Sequence, residues 1–133
     1  MDRQELEQKV KGIFEQLIED YRGKARKFDE EIGCPYQDPF ADTRWYTGKR
    51  MTTHHCTGEG YEAYLPEIVD NDEENNNCLL VVTYDGAGYD FLSLNADYGE
   101  GIITKKFINN LKEQNLDVIL DHYCNWAFCV YMD

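Results

Sequence analysis

Apolar side chains in the first part of the chain recur at steps of three and four: Leu6, Val10, Ile13, Phe14, Leu17, Ile18 and Tyr21. At 3.6 residues per turn this spacing lines them along one face, which predicts an amphipathic helix over about residues 3 to 22. Asp2 followed by Glu5 resembles a capping box at its start, and Gly23 is a plausible stop. Gly12 lowers helix propensity inside the run, and Glu7 with Lys11 offers a compensating pair one turn apart. The basic cluster over 22–27 (RGKARK) either falls where cations complement the C-terminal end of a helix dipole, the favoured reading, or starts a second helix reaching Phe28 and Ile32.

After a Pro-containing connection over 33–42, the period shortens. Aromatic and β-branched residues in TRWYTGKRMTTHHC and GYEAYL predict short strands. The run DNDEENNN over 70–77 has no apolar member and predicts a solvated loop. The segment 78–97 (CLLVVTY, then DGAG, then YDFLSLNAD) carries two apolar runs around a Gly-containing connection, the pattern of a hairpin. Thr104 is placed to cap a second helix running to about residue 115, with Ile103 and Ile108 as its hydrophobic staple. The aromatic tail reads as two strands turning at Asn125 and Trp126, although Leu116, Ile119, Leu120 and Tyr123 also fit a helical face. Together these elements predict an α+β domain, with helices against one face of an antiparallel sheet of about four to six strands.

The length of 133 residues suits a single domain, and 42% hydrophobic residues suffice for a core without metal or disulfide. Five cysteines without tight spacing (Cys34, Cys56, Cys78, Cys124, Cys129) suit a reducing compartment. The start of the chain lacks the basic, apolar and small-residue pattern of a secretory signal, and no apolar run approaches the ~20 residues of a membrane span, so a cytoplasmic location is expected.

Charge changes the picture most. The net charge is −13, and it is unevenly placed: residues 1–50 hold 10 basic and 11 acidic side chains, residues 51–133 hold 3 and 15. From 51 to 104 there is no Lys or Arg at all. Such a field opposes direct binding of nucleic acid or anionic lipid, both of which are held mainly through Lys and Arg.

Candidate chemistry is sparse. Gly86, Ala87 and Gly88 begin a dinucleotide fingerprint, but Phe91 stands where a third Gly is needed. Gly99, Gly101, Lys105 and Lys106 do not have the spacing of a phosphate-binding loop. His54, His55 and Cys56, with His122 and Cys124, could supply tetrahedral zinc ligands only if their strands were neighbours, and no CxxC or HxxxH spacing supports this. No catalytic residue, metal or cofactor is therefore expected, and a small zinc-dependent or other enzyme stays an alternative.

The acidic tract is the strongest functional signal. A one-signed field destabilises the compact state, so it serves either solubility or a basic partner. Tyr61, Tyr64, Tyr84, Tyr89 and Tyr98 are interleaved with it, and tyrosine is enriched at interface cores. The expected partner-binding residues are Glu59, Glu62, Tyr64, Glu67, Asp70, Asp72, Glu73, Glu74, Asp85, Tyr89, Asp90, Asp97 and Glu100. Their expected target is a basic surface of a nucleic-acid-processing protein.

In size, charge and composition the chain resembles small acidic inhibitors, without a shared motif. These are phage-encoded anti-defence proteins (anti-CRISPRs and anti-restriction DNA mimics) and immunity proteins that block nuclease toxins. The resemblance implies a non-enzymatic inhibitor acting in the host cytoplasm. An interaction domain whose acidity is only solubilising is the plain alternative.

Overall fold

The computed structural model describes residues 1–94 and 101–133. In chain order these form α1 (Arg3–Ile32), β1 (Arg44–Tyr46), β2 (Lys49–Gly58), β3 (Tyr61–Asp70), β4 (Cys78–Thr83), a 3-10 turn (Gly86–Gly88), α2 (Tyr89–Leu92), α3 (Ile102–Glu113), β5 (Val118–Cys124) and β6 (Ala127–Met132). The architecture is α+β with two antiparallel sheets: four strands ordered β1-β4-β6-β5, and a separate ribbon of β2 and β3.

Helix α1 starts as expected, the Asp2 carboxylate accepting the Glu5 N–H at 2.8 Å. It does not stop at Gly23. It continues ten residues further, to a C-terminal cap at Gly33, whose left-handed backbone (φ 73°) suits glycine. The basic cluster 22–27 is therefore inside the helix, and the last turn carries acidic residues instead. A 30-residue helix is ~45 Å long. The sheet beneath it has strands of about 20 Å and a width of about 15 Å, so part of α1 must overhang.

Val10, Phe14 and Ile18 are fully buried against Leu79, Leu80 and Val82 of β4, Phe128 and Val130 of β6, and Ile103, Phe107 and Leu111 of α3. Phe14 sits at the centre, edge-on to Trp45 and Phe107 at 5.3 Å and to Phe128 at 6.3 Å. The opposite face of the sheet buries Met51, Cys78, Val81, Ala127 and Cys129 under the base of the ribbon. Both faces of β4 are thus covered, which explains its unbroken apolar run CLLVV.

Three sequence expectations are corrected. The hairpin over 78–97 does not form: β4 pairs with β1 and β6, and the chain after Asp85 turns into the 3-10 segment and α2. The glycines begin helical turns here, and burial of Leu92 with Ser93 under α3 holds that path. Residues 95–97 of that segment lie outside the described residues. Thr104 does not cap α3; Gly101 stands at the cap, and the buried Thr104 hydroxyl donates to the Leu92 carbonyl at 2.7 Å, tying α3 to α2. Tyr84 is not an exposed anchor but a core residue, and burial pushes its phenol up to about 12, even though Ser93 is among its partners. The tail forms two strands turning at Asn125 and Trp126, as the strand reading expects.

Candidate functional site: an acidic, aromatic ribbon

The ribbon is built by a direct register in which Lys49 opposes Asp70 and Gly58 opposes Tyr61. Glu59 and Gly60 close it, Gly60 in the left-handed conformation (φ 82°) that such a turn requires. The ring of Tyr61 lies across Gly58, in the space that a β-carbon there would occupy.

Its two halves differ. In the base, Met51 is buried, Ile68 opposite it is half-buried, and the Thr53 hydroxyl meets the Tyr123 hydroxyl of β5 at 2.6 Å. Beyond Thr53 and Pro66 the strands leave the sheet. Residues 54–58 and 61–65 extend ~17 Å further, and Tyr61, Tyr64 and Leu65 are 63%, 63% and 52% exposed.

Alternation sorts the distal side chains onto two faces. On one, His55 and Tyr64 are direct cross-strand partners whose rings stack at 4.5 Å and 6°. The His55 Nε2 lies 2.6 Å from the Glu62 carboxylate, which also accepts from the Tyr64 hydroxyl at 3.4 Å. The other face carries Tyr61 and Leu65 with His54 and Cys56, and Glu67 follows on it in the base, opposite Thr52. At the tip the carboxylates are Glu62 on the first face and Glu59 in the turn, and exposed aromatic or apolar side chains stand on both faces.

The remaining acidic residues fall into different settings. Asp70 is bound by Lys49, whose hydrogen bond and charge hold its carboxyl below the usual range. Asp72 organises the 71–77 loop: it accepts the Asn75 and Glu74 N–H groups at 2.7 and 2.9 Å and lies 3.6 Å from Arg50. The backbone bond from Asn75 is the main cause of its lowered pKa. Arg3 from the start of α1 braces the same loop, donating to the Asn76 and Cys78 carbonyls at 2.6 and 3.0 Å. Glu73 and Glu74 are exposed on it. Asp85 and Asp90 are exposed at the other end of β4, ~17 Å from Cys78, and Tyr89 between them is half-buried. Asp97, Tyr98 and Glu100 lie outside the described residues. The fold thus brings together Glu59, Glu62, Tyr64 and Glu67, with Asp70 to Glu74 at the ribbon base, and places Asp85, Tyr89 and Asp90 elsewhere.

Sequence reasoning missed Leu65, and it named Tyr61 among the interleaved tyrosines without placing it with the partner-binding residues. The signal for both was present in the alternation of GYEAYLPEI, where apolar residues occupy both faces of one strand. It also missed Lys49 and Arg50, which the register returns to the acidic tract and which neutralise Asp70 and Asp72.

His54 and Cys56 share the ribbon face turned away from Thr53 and its β5 contact, so they do not converge with His122 and Cys124. Among the described residues no group of three or more His, Cys, Asp or Glu side chains could hold a metal ion. All five cysteines are free thiols. No described helix is long and apolar enough to cross a membrane. No protein-family model, curated protein or solved structure matches this chain.

Proposed function

We propose that this chain is a non-enzymatic binding protein that inserts the distal β2–β3 ribbon into a basic groove of a nucleic-acid-processing protein and blocks it. The observation that carries the reading is the composition of the tip: Tyr61, Tyr64 and Leu65 are more than half exposed beside Glu59 and Glu62, with Glu67 exposed next to them at the base. Within 51–104 no Lys or Arg interrupts that field. Aromatic anchors bury large area at low entropic cost, and carboxylates steer the encounter with Lys and Arg. A groove shaped for a phosphate backbone is lined by those two residue types. The reading is that of an anti-defence inhibitor; an immunity protein against a nuclease toxin uses the same chemistry, and the identity of the partner separates them.

The test is affinity capture with the wild-type chain and with two variants, Tyr61→Ala/Leu65→Ala and Glu62→Gln/Glu67→Gln. A basic nucleic-acid-processing protein that binds the wild type, is inhibited by it and is lost from both variants is the expected result. Association should slow as ionic strength rises, because exposed charges are screened over about 8 Å at physiological salt. A partner that binds both variants and is insensitive to salt overturns the ribbon as the interface.

A further inference from the structure

The apolar stripe of α1 does not end where its cover does. Val10, Phe14, Ile18 and Tyr21 continue at the same spacing into Ala25, Phe28 and Ile32. The first three are fully buried, whereas Phe28 is 60% and Ile32 54% exposed. Beside them runs a groove of about 550 Å³, with Tyr21, Ala25 and Phe28 on one wall and Pro39, Phe91 and Ile102 on the other. Ile102 is itself 52% exposed. Lys24 and Lys106 face the groove from its two walls.

Charge along the same stretch is arranged against the helix dipole. Arg22, Lys24, Arg26 and Lys27 precede Asp29, Glu30 and Glu31, and the last turn has no basic residue. Carboxylates at a helix C-terminus oppose its partial negative charge, and by themselves they destabilise it. Within one chain Arg22 is engaged by Glu19 and Asp38, and Arg26 lies over the Tyr36 ring at 5.0 Å. Lys24, Lys27, Glu30 and Glu31 are exposed.

We propose that the overhanging half of α1 pairs antiparallel with the same segment of a second copy of this chain. The charge order identifies the occupant: reversing the segment sets its basic half against its own acidic half. In the register that pairs Ala25 with the other copy's Phe28, a small residue meets a large one at the centre, and Ile32 reaches the level of Tyr21, whose ring packs on Phe40 and Phe91 of its own chain. The same register brings Lys24 alongside the other copy's Glu31, twice by symmetry. A contact in which each residue meets its own counterpart region closes as a two-fold dimer. With roughly eleven residues per helix the buried area is below that of a standard stable interface, so the association is weak and concentration-dependent.

The test is sedimentation of the full chain over a wide concentration range, with three variants. Lys24→Glu/Lys27→Glu makes the segment predominantly acidic, Glu30→Lys/Glu31→Lys makes it predominantly basic, and Phe28→Glu puts a charge in its apolar centre. The wild type should self-associate, and each of the three variants alone should do so ~tenfold more weakly or less. An equimolar mixture of the two charge-swapped chains should restore the dimer, which only folded, complementary chains can do. A wild type that stays monomeric throughout overturns the proposal, as does a dimer insensitive to the swaps or a mixture that fails to re-form one. A monomer in which Phe28 is shielded only when a different protein is added also overturns it, and marks the face as a hetero-interface.

Discussion

The two halves of α1 have the same apolar spacing and opposite fates. Phe14 is enclosed by Trp45, Phe107 and Phe128, while Phe28, two heptads later on the same stripe, is 60% exposed. The difference is one of reach: the sheet and α3 cover the first half, and the helix outruns them. The ribbon repeats the lesson, with Met51 buried at its base and Leu65 half in solvent toward its tip. A hydrophobic pattern specifies which side chains share a face, and only the rest of the fold decides whether that face is core or surface.

The comparison breaks first at Phe14. Replacing Phe14 by Ala removes a fully buried ring and should cost about 3 to 5 kcal/mol, whereas Phe28→Ala should stay within about 0.5 kcal/mol at low protein concentration. Denaturant unfolding of the two variants checks this directly. Equal losses would mean that the overhang is docked. On the ribbon, Met51→Ala should cost about 2 kcal/mol or more and Leu65→Ala little, by the same measurement.

These contrasts also mark what was legible in the sequence. The amphipathic face of α1, the fold class, the solvated loop over 70–77 (of which only Asp70 falls in β3) and the strand pair of the tail all rest on local pattern, and local pattern survives without tertiary knowledge. The end of α1 did not: Gly23 looks like a stop, but neither it nor Gly12 has a positive φ, and the left-handed cap falls at Gly33. The false hairpin over 78–97 has the same origin. A buried strand flanked by glycines reads alike whether its partner is adjacent in sequence or, as here, is β6 at the end of the chain. For the candidate site, the charge of the tract was plain, but its division between ribbon, loop and the far end of β4 depended on strand register. So did the return of Lys49 and Arg50 to Asp70 and Asp72.

A smaller effect sharpens the comparison within α1. Gly12 lies in the covered half and Gly23 in the overhang, and at neither would an added β-carbon meet an atom within 4 Å. Alanine at either site should raise stability by about 0.5 to 1 kcal/mol, since both positions are helical and glycine loses more backbone entropy on ordering. Thermal melts followed by circular dichroism would show it. A gain at Gly12 but none at Gly23 would mean that the overhang frays in the isolated chain.

The smallest effect is expected at the junction between the two halves, where Arg22 ties α1 to the 36–40 connection. Its guanidinium donates to both Asp38 oxygens, at 3.2 and 2.9 Å, and lies 5.9 Å from the centre of the Phe40 ring. Asp38 also accepts the Phe40 N–H at 3.0 Å. Partial burial is the largest influence on the Asp38 carboxyl and pushes its pKa up, but the hydrogen bonds from Arg22 and Phe40, with the Arg22 charge, outweigh it and hold the group below the ordinary 3.8. A carboxyl whose folded pKa is depressed adds stability that is present above its unfolded value and lost as pH falls through the folded one. Wild type should therefore exceed Asp38→Asn in melting temperature near neutral pH, and the gap should close as pH drops below about 4. Because the side chains of Arg22 and Asp38 are 19% and 27% exposed, solvent screens part of the attraction and the gap should be modest. Added salt should narrow it little compared with acid, since the bidentate hydrogen bonds are short-ranged. A gap that persists unchanged to acid pH would mean that Asp38 holds the junction by packing rather than as an anion, and the overhang would then be anchored by Phe40 and Tyr21, whose rings meet edge-on at 5.5 Å.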